Sequence, residues 1–189
     1  MTKPGSLQGA DTRAAALAEN SDGAVRRFVE HWGAMARLWG INATMAELFA
    51  LMYIRGGDWT ADELQEHLRI SRGNVSMNLR ELMTWGVVHK AHRHGERREY
   101  FRAEMDVWTI FRRIITERTR REVEPTRELL AQTVADANEA VELAGVRERA
   151  ESLWRFFETI NSLATRLVAL EPRELQDLLS ILDSIESTD

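Results

Sequence analysis

The chain has no cysteine, which excludes a disulfide framework, thiolate metal sites and a cysteine nucleophile. Proline is nearly as scarce, at three in 189 residues, and with 7% aromatic and 29% charged residues the composition is that of a globular protein rather than a disordered or fibrous one. No apolar run approaches the roughly 20 residues that a bilayer span needs, and the opening MTKPGSLQGADT lacks the apolar centre of a signal peptide. The expected location is therefore cytoplasmic, with no membrane partner. A glycine-rich phosphate loop, an HExxH helix and a nucleophile elbow are also missing, so neither an enzyme nor a cofactor is expected.

Net basic charge is missing too: 25 Lys/Arg against 30 Asp/Glu leave −5, unlike the basic footprint of most nucleic-acid binders. The average hides a split. Between Arg69 and Arg102 eight Lys/Arg face three acids, a balance of +5, so the remainder carries −10. A compact basic segment inside an acidic protein suits local, oriented contact with phosphate, because repulsion elsewhere limits other docking poses.

What is present is mostly helical periodicity. Residues 1–23 mix small and polar types and read as a mobile N-terminal arm. After Ser21 or Asp22, the positions Val25, Phe28, Val29, Trp32, Met35, Ala36 and Trp39 give one apolar helix face, which Gly40 ends. Two T-x-x-E patterns, Thr44 with Glu47 and Thr60 with Glu63, predict capping boxes for a second and a third helix, the second closing at Gly56-Gly57. Ser71 then caps a fourth helix with Val75, Leu79, Leu82 and Met83 inward and Gly86 at its end. Two short helices joined by so tight a connection form a helix-turn-helix pattern.

The segment VVHKAHRHGERREYFRAE has β-formers at both ends and charge around Gly95 in the middle, so it reads as a hairpin. Further helical stripes follow: Val107 to Ile115, a segment that Pro125 starts or kinks and that runs to Gly145, then Leu153 to Leu167, and a last helix opened by Pro172. The predicted fold is mostly α with a small β-hairpin wing: a winged helix-turn-helix domain at 24–103 and a helical dimerisation region at 104–189. Those later stripes are too numerous for one wing domain to cover, and a second copy is the simplest cover.

With Val75 at the centre of the buried face, Gly73, Asn74, Met77 and Arg80 fall on the far side of the fourth helix, flanked by Arg72 and Ser76. With the cap Ser71 they supply small, amide, hydroxyl and guanidinium groups, the types that bond to base edges and phosphates in a major groove. An ordinary solvated face carries several Glu and Lys, and this one has none before Glu81. In the hairpin, Lys90, Arg93, Arg97 and Arg98 crowd a loop tip; charged edge strands also guard against edge pairing, but the excess of cations suits a narrow minor groove. His89, His92 and His94 fit a basic surface better than a metal site. The six tryptophans, at helical spacing for the most part, read as core.

The run ISRGNVSMNLRELMTWGVV, followed by HGERREYF, resembles the GbsR-type branch of the MarR-like winged-helix regulators over roughly residues 25–125. The resemblance implies a sequence-specific transcriptional regulator, usually a dimeric repressor, with a recognition helix at 71–85 and a wing at 87–102. Some members of that branch respond to choline or glycine betaine, an effector class that the residues of this chain do not specify. The expected partners are double-stranded DNA, a second copy of the chain, and a small-molecule effector if the chain has one. The alternative is a winged-helix docking module for another protein, which would expose apolar anchors on the recognition face.

Overall fold

The computed structural model describes residues 6–137 and 143–186, which divide between Met105 and Asp106 into two units. The first contains α1 (Ser6–Leu38), α2 (Ala43–Arg55), α3 (Ala61–Leu68), α4 (Arg72–Thr84) and the antiparallel strands β1 (Val88–Ala91) and β2 (Tyr100–Ala103). Helix, short helix, capped helix and hairpin follow one another as a winged helix-turn-helix requires. Helix α1 starts well before Ser21, within the segment the sequence reads as an arm at 1–23. The reason is composition: TRAAALAEN is built largely of strong helix formers, so no capped start at Ser21 is needed. The first five residues of that arm lie outside the described residues.

Local polar chemistry sets the other starts. Thr60 and Glu63 form the expected capping box, Thr60 Oγ1 accepting from the Glu63 N–H at 3.2 Å and Glu63 Oε2 accepting from the Thr60 N–H at 2.7 Å. The box expected at Thr44 and Glu47 does not form. Asn42 caps α2 instead, its Oδ1 accepting from the Met45 N–H at 3.0 Å, two residues earlier than the sequence pattern places the start. Glu47 is thereby released to the face against α1, where a Cβ on Gly33 would stand 2.4 Å from its Oε1. Glycine here lets the two helices approach.

Desolvation in that contact lifts the Glu47 carboxyl above its ordinary value, with Arg37 opposing and Glu30 assisting. A raised folded pKa means that Glu47 favours the fold at low pH and that this contribution disappears as pH rises through the raised value. Glu47→Gln is therefore expected to raise the thermal midpoint at pH 7 and leave it unchanged near pH 3, as measured by calorimetry. A midpoint lowered equally at both pH values would show that the carboxyl makes a bond the amide cannot replace.

The first unit closes over Leu48, Met52, Leu64 and Val75, all with no exposed surface, and α4 packs on α2 and α3. Gly56 and Gly57 turn the chain after α2 at φ of 67° and 76°. Trp59 then pairs with the hairpin, exchanging backbone bonds with Phe101 at 2.8 Å in each direction. No tryptophan is fully buried: Trp39 is exposed and the other five are half-buried. Their large rings cover core edges while indole N–H groups reach polar partners, Trp59 to the Gly56 carbonyl at 2.9 Å and Trp85 to Glu81 at 3.0 Å.

In the second unit, Asp106 caps α5 (Val107–Arg118), a π-turn follows at Thr119–Val123, and α6 (Glu124–Ala137), α7 (Ala144–Ala169) and α8 (Pro172–Glu186) complete it. Pro125, expected to start or kink a segment, is the second residue of α6, which follows the π-turn without a break. Its ring would strike the carbonyl of residue 121 in a regular α-helix, and the wider turn just upstream, closed by the Glu124 N–H to the Thr119 carbonyl, accommodates it. Glu117, 8% exposed, holds the turn by pairing with Arg120 at 2.6 Å and with Arg121. Gly145 lies inside the first turn of α7 rather than ending the preceding helix. Helix α7 packs on α5 and α6, yet Leu153, Phe156 and Leu163 on it stay 52%, 57% and 58% exposed. No helix among the described residues is long and apolar enough to cross a membrane.

Candidate nucleic-acid interface

Arg69, at φ 54° and ψ 42°, turns the chain sharply after α3, and Ser71 restarts it by accepting the Asn74 N–H at 3.3 Å. Val75, Leu79 and Leu82 anchor α4 inward as the sequence predicts, while Met83 is only half-buried. A polar residue completes the buried face: Asn78, 3% exposed, which the sequence reading does not single out. Its Nδ2 donates to the Asn74 carbonyl at 2.9 Å and to Asn74 Oδ1 at 2.7 Å.

Of the candidate residues on α4, Ser71, Arg72, Gly73, Ser76, Met77 and Arg80 are exposed together on one face, and Asn74 is half-buried at its edge. Asn78 orients Asn74 so that its own NH₂ group remains to donate outward. An amide presented in this way suits acceptors such as guanine O6 and N7 or thymine O4. Arg80 lies back along the helix, its Nε donating to the Ser76 carbonyl at 3.3 Å, which leaves the outer edge of the fork exposed. Nothing stands within 4 Å of a Cβ built on Gly73, so the helix start is open to close approach from outside.

The hairpin pairs Val88 with Ala103 and Ala91 with Tyr100, and its loop turns at Gly95, φ 83°, where the Glu96 N–H donates to the Arg93 carbonyl at 3.2 Å. The four candidate cations here divide into two kinds. Lys90 pairs with Glu99 at 2.5 Å, and Arg93 pairs with Asp58 at 3.2 Å while lying 4.3 Å from the Tyr100 ring centre. Arg97 and Arg98 are exposed and make no salt bridge among the described residues. Tyr100 donates to Glu96, a bond that holds the phenol protonated and pushes its pKa up. His89 faces Glu104 at 3.8 Å.

Asp58 is the residue that sequence reasoning missed here. It sits before Trp59 and accepts from Arg102 at 2.7 Å as well as from Arg93. Arg102 chiefly, then Arg93, holds the Asp58 carboxyl below the usual carboxylate range despite opposing desolvation. A lowered folded pKa gives stability that is present above about pH 4 and lost as pH falls through the depressed value. The Asp58 pairing is therefore expected to persist across neutral pH and open only in acid. The Nε–H resonances of Arg93 and Arg102, the two donors to Asp58, should hold their bonded positions above about pH 4 and move together only in acid. Loss of both bonded positions while the carboxylate is still ionised would show that the pairing does not depend on Asp58.

Comparison with known proteins gives likenesses of two kinds, in sequence and in fold. The chain is 30% identical over 99 residues to the HTH-type transcriptional repressor GbsR of Bacillus subtilis (strain 168), a match covering 52% of this chain and 54% of that one. It thus spans about half the length of that curated relative. A crystal structure of a transcriptional regulator superposes with a TM-score of 0.61 over 81% of this chain and 99% of that one, at 18% identity, a likeness of fold. No family model matches the chain. The resemblance to GbsR-type regulators is thus supported by sequence over half of the chain, and the structural comparison adds a likeness of fold.

Proposed function

We propose that the chain is a DNA-binding transcriptional repressor, acting in the cytoplasm as a homodimer on an inverted-repeat operator, with the exposed face of α4 in a major groove and the wing tip against the adjacent minor groove. The observation that carries this reading is the division of charge. One exposed face of α4 offers Ser71, Arg72, Ser76 and Arg80 without an acid, and Arg97 and Arg98 at the hairpin tip make no salt bridge among the described residues, in a chain of net charge −5. Fluorescence anisotropy with duplexes from the neighbourhood of its own coding region tests it, with tightest binding expected on an inverted repeat. Absence of binding to any duplex at low salt would favour the docking module, for which Met77, 54% exposed, is the one apolar anchor on that face.

The dimer reading rests on α7. Leu153, Phe156, Ile160, Leu163 and Leu167 follow one another at steps of three and four, the spacing of a coiled-coil seam, and the helices of their own unit leave much of that seam exposed. A groove of about 870 Å³ in the first unit, with Val25, Val29 and Leu51 at its apolar side and Glu47, Trp59 and His67 around it, leaves room for a small-molecule effector.

A further inference from the structure

We propose that Asp58 is a positioning residue that latches the wing, so that Arg93 and Arg102 serve the hairpin and, of the wing's arginines, Arg97 and Arg98 are left to meet DNA. The proposal rests on the DNA-binding reading above, and the latch has a readout of its own. Asp58 is tied to its place by the residue that follows it: Trp59 exchanges two backbone bonds of 2.8 Å with Phe101, which puts the carboxylate beside β2. Its Oδ1 takes Arg102, next to Phe101 in that strand, and its Oδ2 takes Arg93, across the loop. One carboxylate therefore fastens both sides of the loop to a rigid part of the fold.

Burial makes the fastening effective. The Asp58 side chain is only 10% exposed while the two guanidiniums are about half exposed, at 47% and 58%, so solvent reaches the pair mainly from the arginine side. The Tyr100 ring lies against Arg93, adding a cation–π contact to the ion pair. A loop held at Arg93 and at Arg102 presents its tip, Arg97-Arg98, in a narrow range of directions, which lowers the ordering entropy lost on docking. The Asp58 carboxylate offsets one of the two guanidinium charges and engages both side chains, so the two latch arginines should release fewer counterions from DNA than two free ones would.

The experiment compares Asp58→Asn, Arg102→Ala and Arg97→Ala in the full chain by two measurements: hydrogen exchange without DNA at Glu96, the loop amide bonded to the Arg93 carbonyl, and operator affinity across a salt series. For Asp58→Asn and Arg102→Ala, exchange in the loop should quicken by about tenfold. Affinity should fall by about tenfold with the salt slope unchanged. Arg97→Ala should leave exchange unchanged and flatten the slope by about one unit per subunit. Unchanged loop exchange in Asp58→Asn would overturn the latch, whether or not any duplex binds. Tighter binding by Asp58→Asn would overturn it too, because it would mean that Asp58 withholds Arg93 from phosphate. Quickened exchange in a protein whose parent form binds no duplex would keep the latch and sink the DNA reading alone.

Discussion

Leu79→Ala is expected to lower the unfolding free energy by about 2–5 kcal/mol, the range for emptying a well-packed leucine site. Leu79 is 2% exposed and lies between Val75 and Leu82 on the face of α4 that packs against α2 and α3. The helix is short, 13 residues, and an isolated helix of that length is marginal in water, so its order comes from this face. Met77, two residues before Leu79 and 54% exposed, supplies the control. Met77→Ala should change stability by no more than about 0.5 kcal/mol. Chemical denaturation followed by circular dichroism separates the two. Equal effects would mean that α4 is turned by roughly half a revolution from the orientation described, and the exposed set Ser71, Arg72, Ser76 and Arg80 would no longer form one face.

Features that depend on residues a few positions apart were legible in the sequence. Thr60 with Glu63, Ser71 before α4, the glycines after α2 and α4, and the β-forming ends of the hairpin act through their own turn of backbone, so a pattern finds them. The same locality explains one error. Asn42 and Thr44 are both good cap residues, and the choice fell to the tertiary contact that draws Glu47 toward Gly33 rather than back to the helix start. Pro125 is legible as the start of a segment, but the five-residue π-turn that carries the helix into it is not, because it depends on packing and on the Glu117 pairs.

Contacts across long stretches of chain were not legible. Asp58 meets Arg93 and Arg102 over 35 and 44 residues, and no spacing rule joins them. Asn78 was passed over for another reason: it stands among Val75, Leu79 and Leu82, and an apolar pattern treats one polar member as noise. The signal was the i, i+4 pair Asn74 and Asn78, a spacing at which two side chains share a helix face. At the candidate interface the residue types were legible and their commitments were not. Lys90, Arg93, Arg97 and Arg98 look alike in sequence, and only the fold separates the first two, engaged with Glu99 and Asp58, from the last two.

Phe156→Glu combined with Leu163→Glu is expected to convert the proposed dimer into a monomer and to weaken operator binding by at least about a hundredfold, the scale on which joining two half-site contacts raises affinity. The two residues share a stripe of α7 with Leu153 and are 57% and 58% exposed, so carboxylates there remain hydrated in the single chain and the fold should be unharmed. At a seam between two copies the same carboxylates would lose water and face one another across a two-fold axis, which an apolar interface cannot accommodate. Sedimentation should report a mass near 21.7 kDa for the variant and near twice that for the parent chain, with matching circular dichroism. The variant should still bind a single half-site as well as the parent does, because α4 and the wing lie in the other unit. A variant that stays dimeric would place the interface elsewhere, and one that is monomeric yet binds the full operator undiminished would mean that one copy reads the whole site.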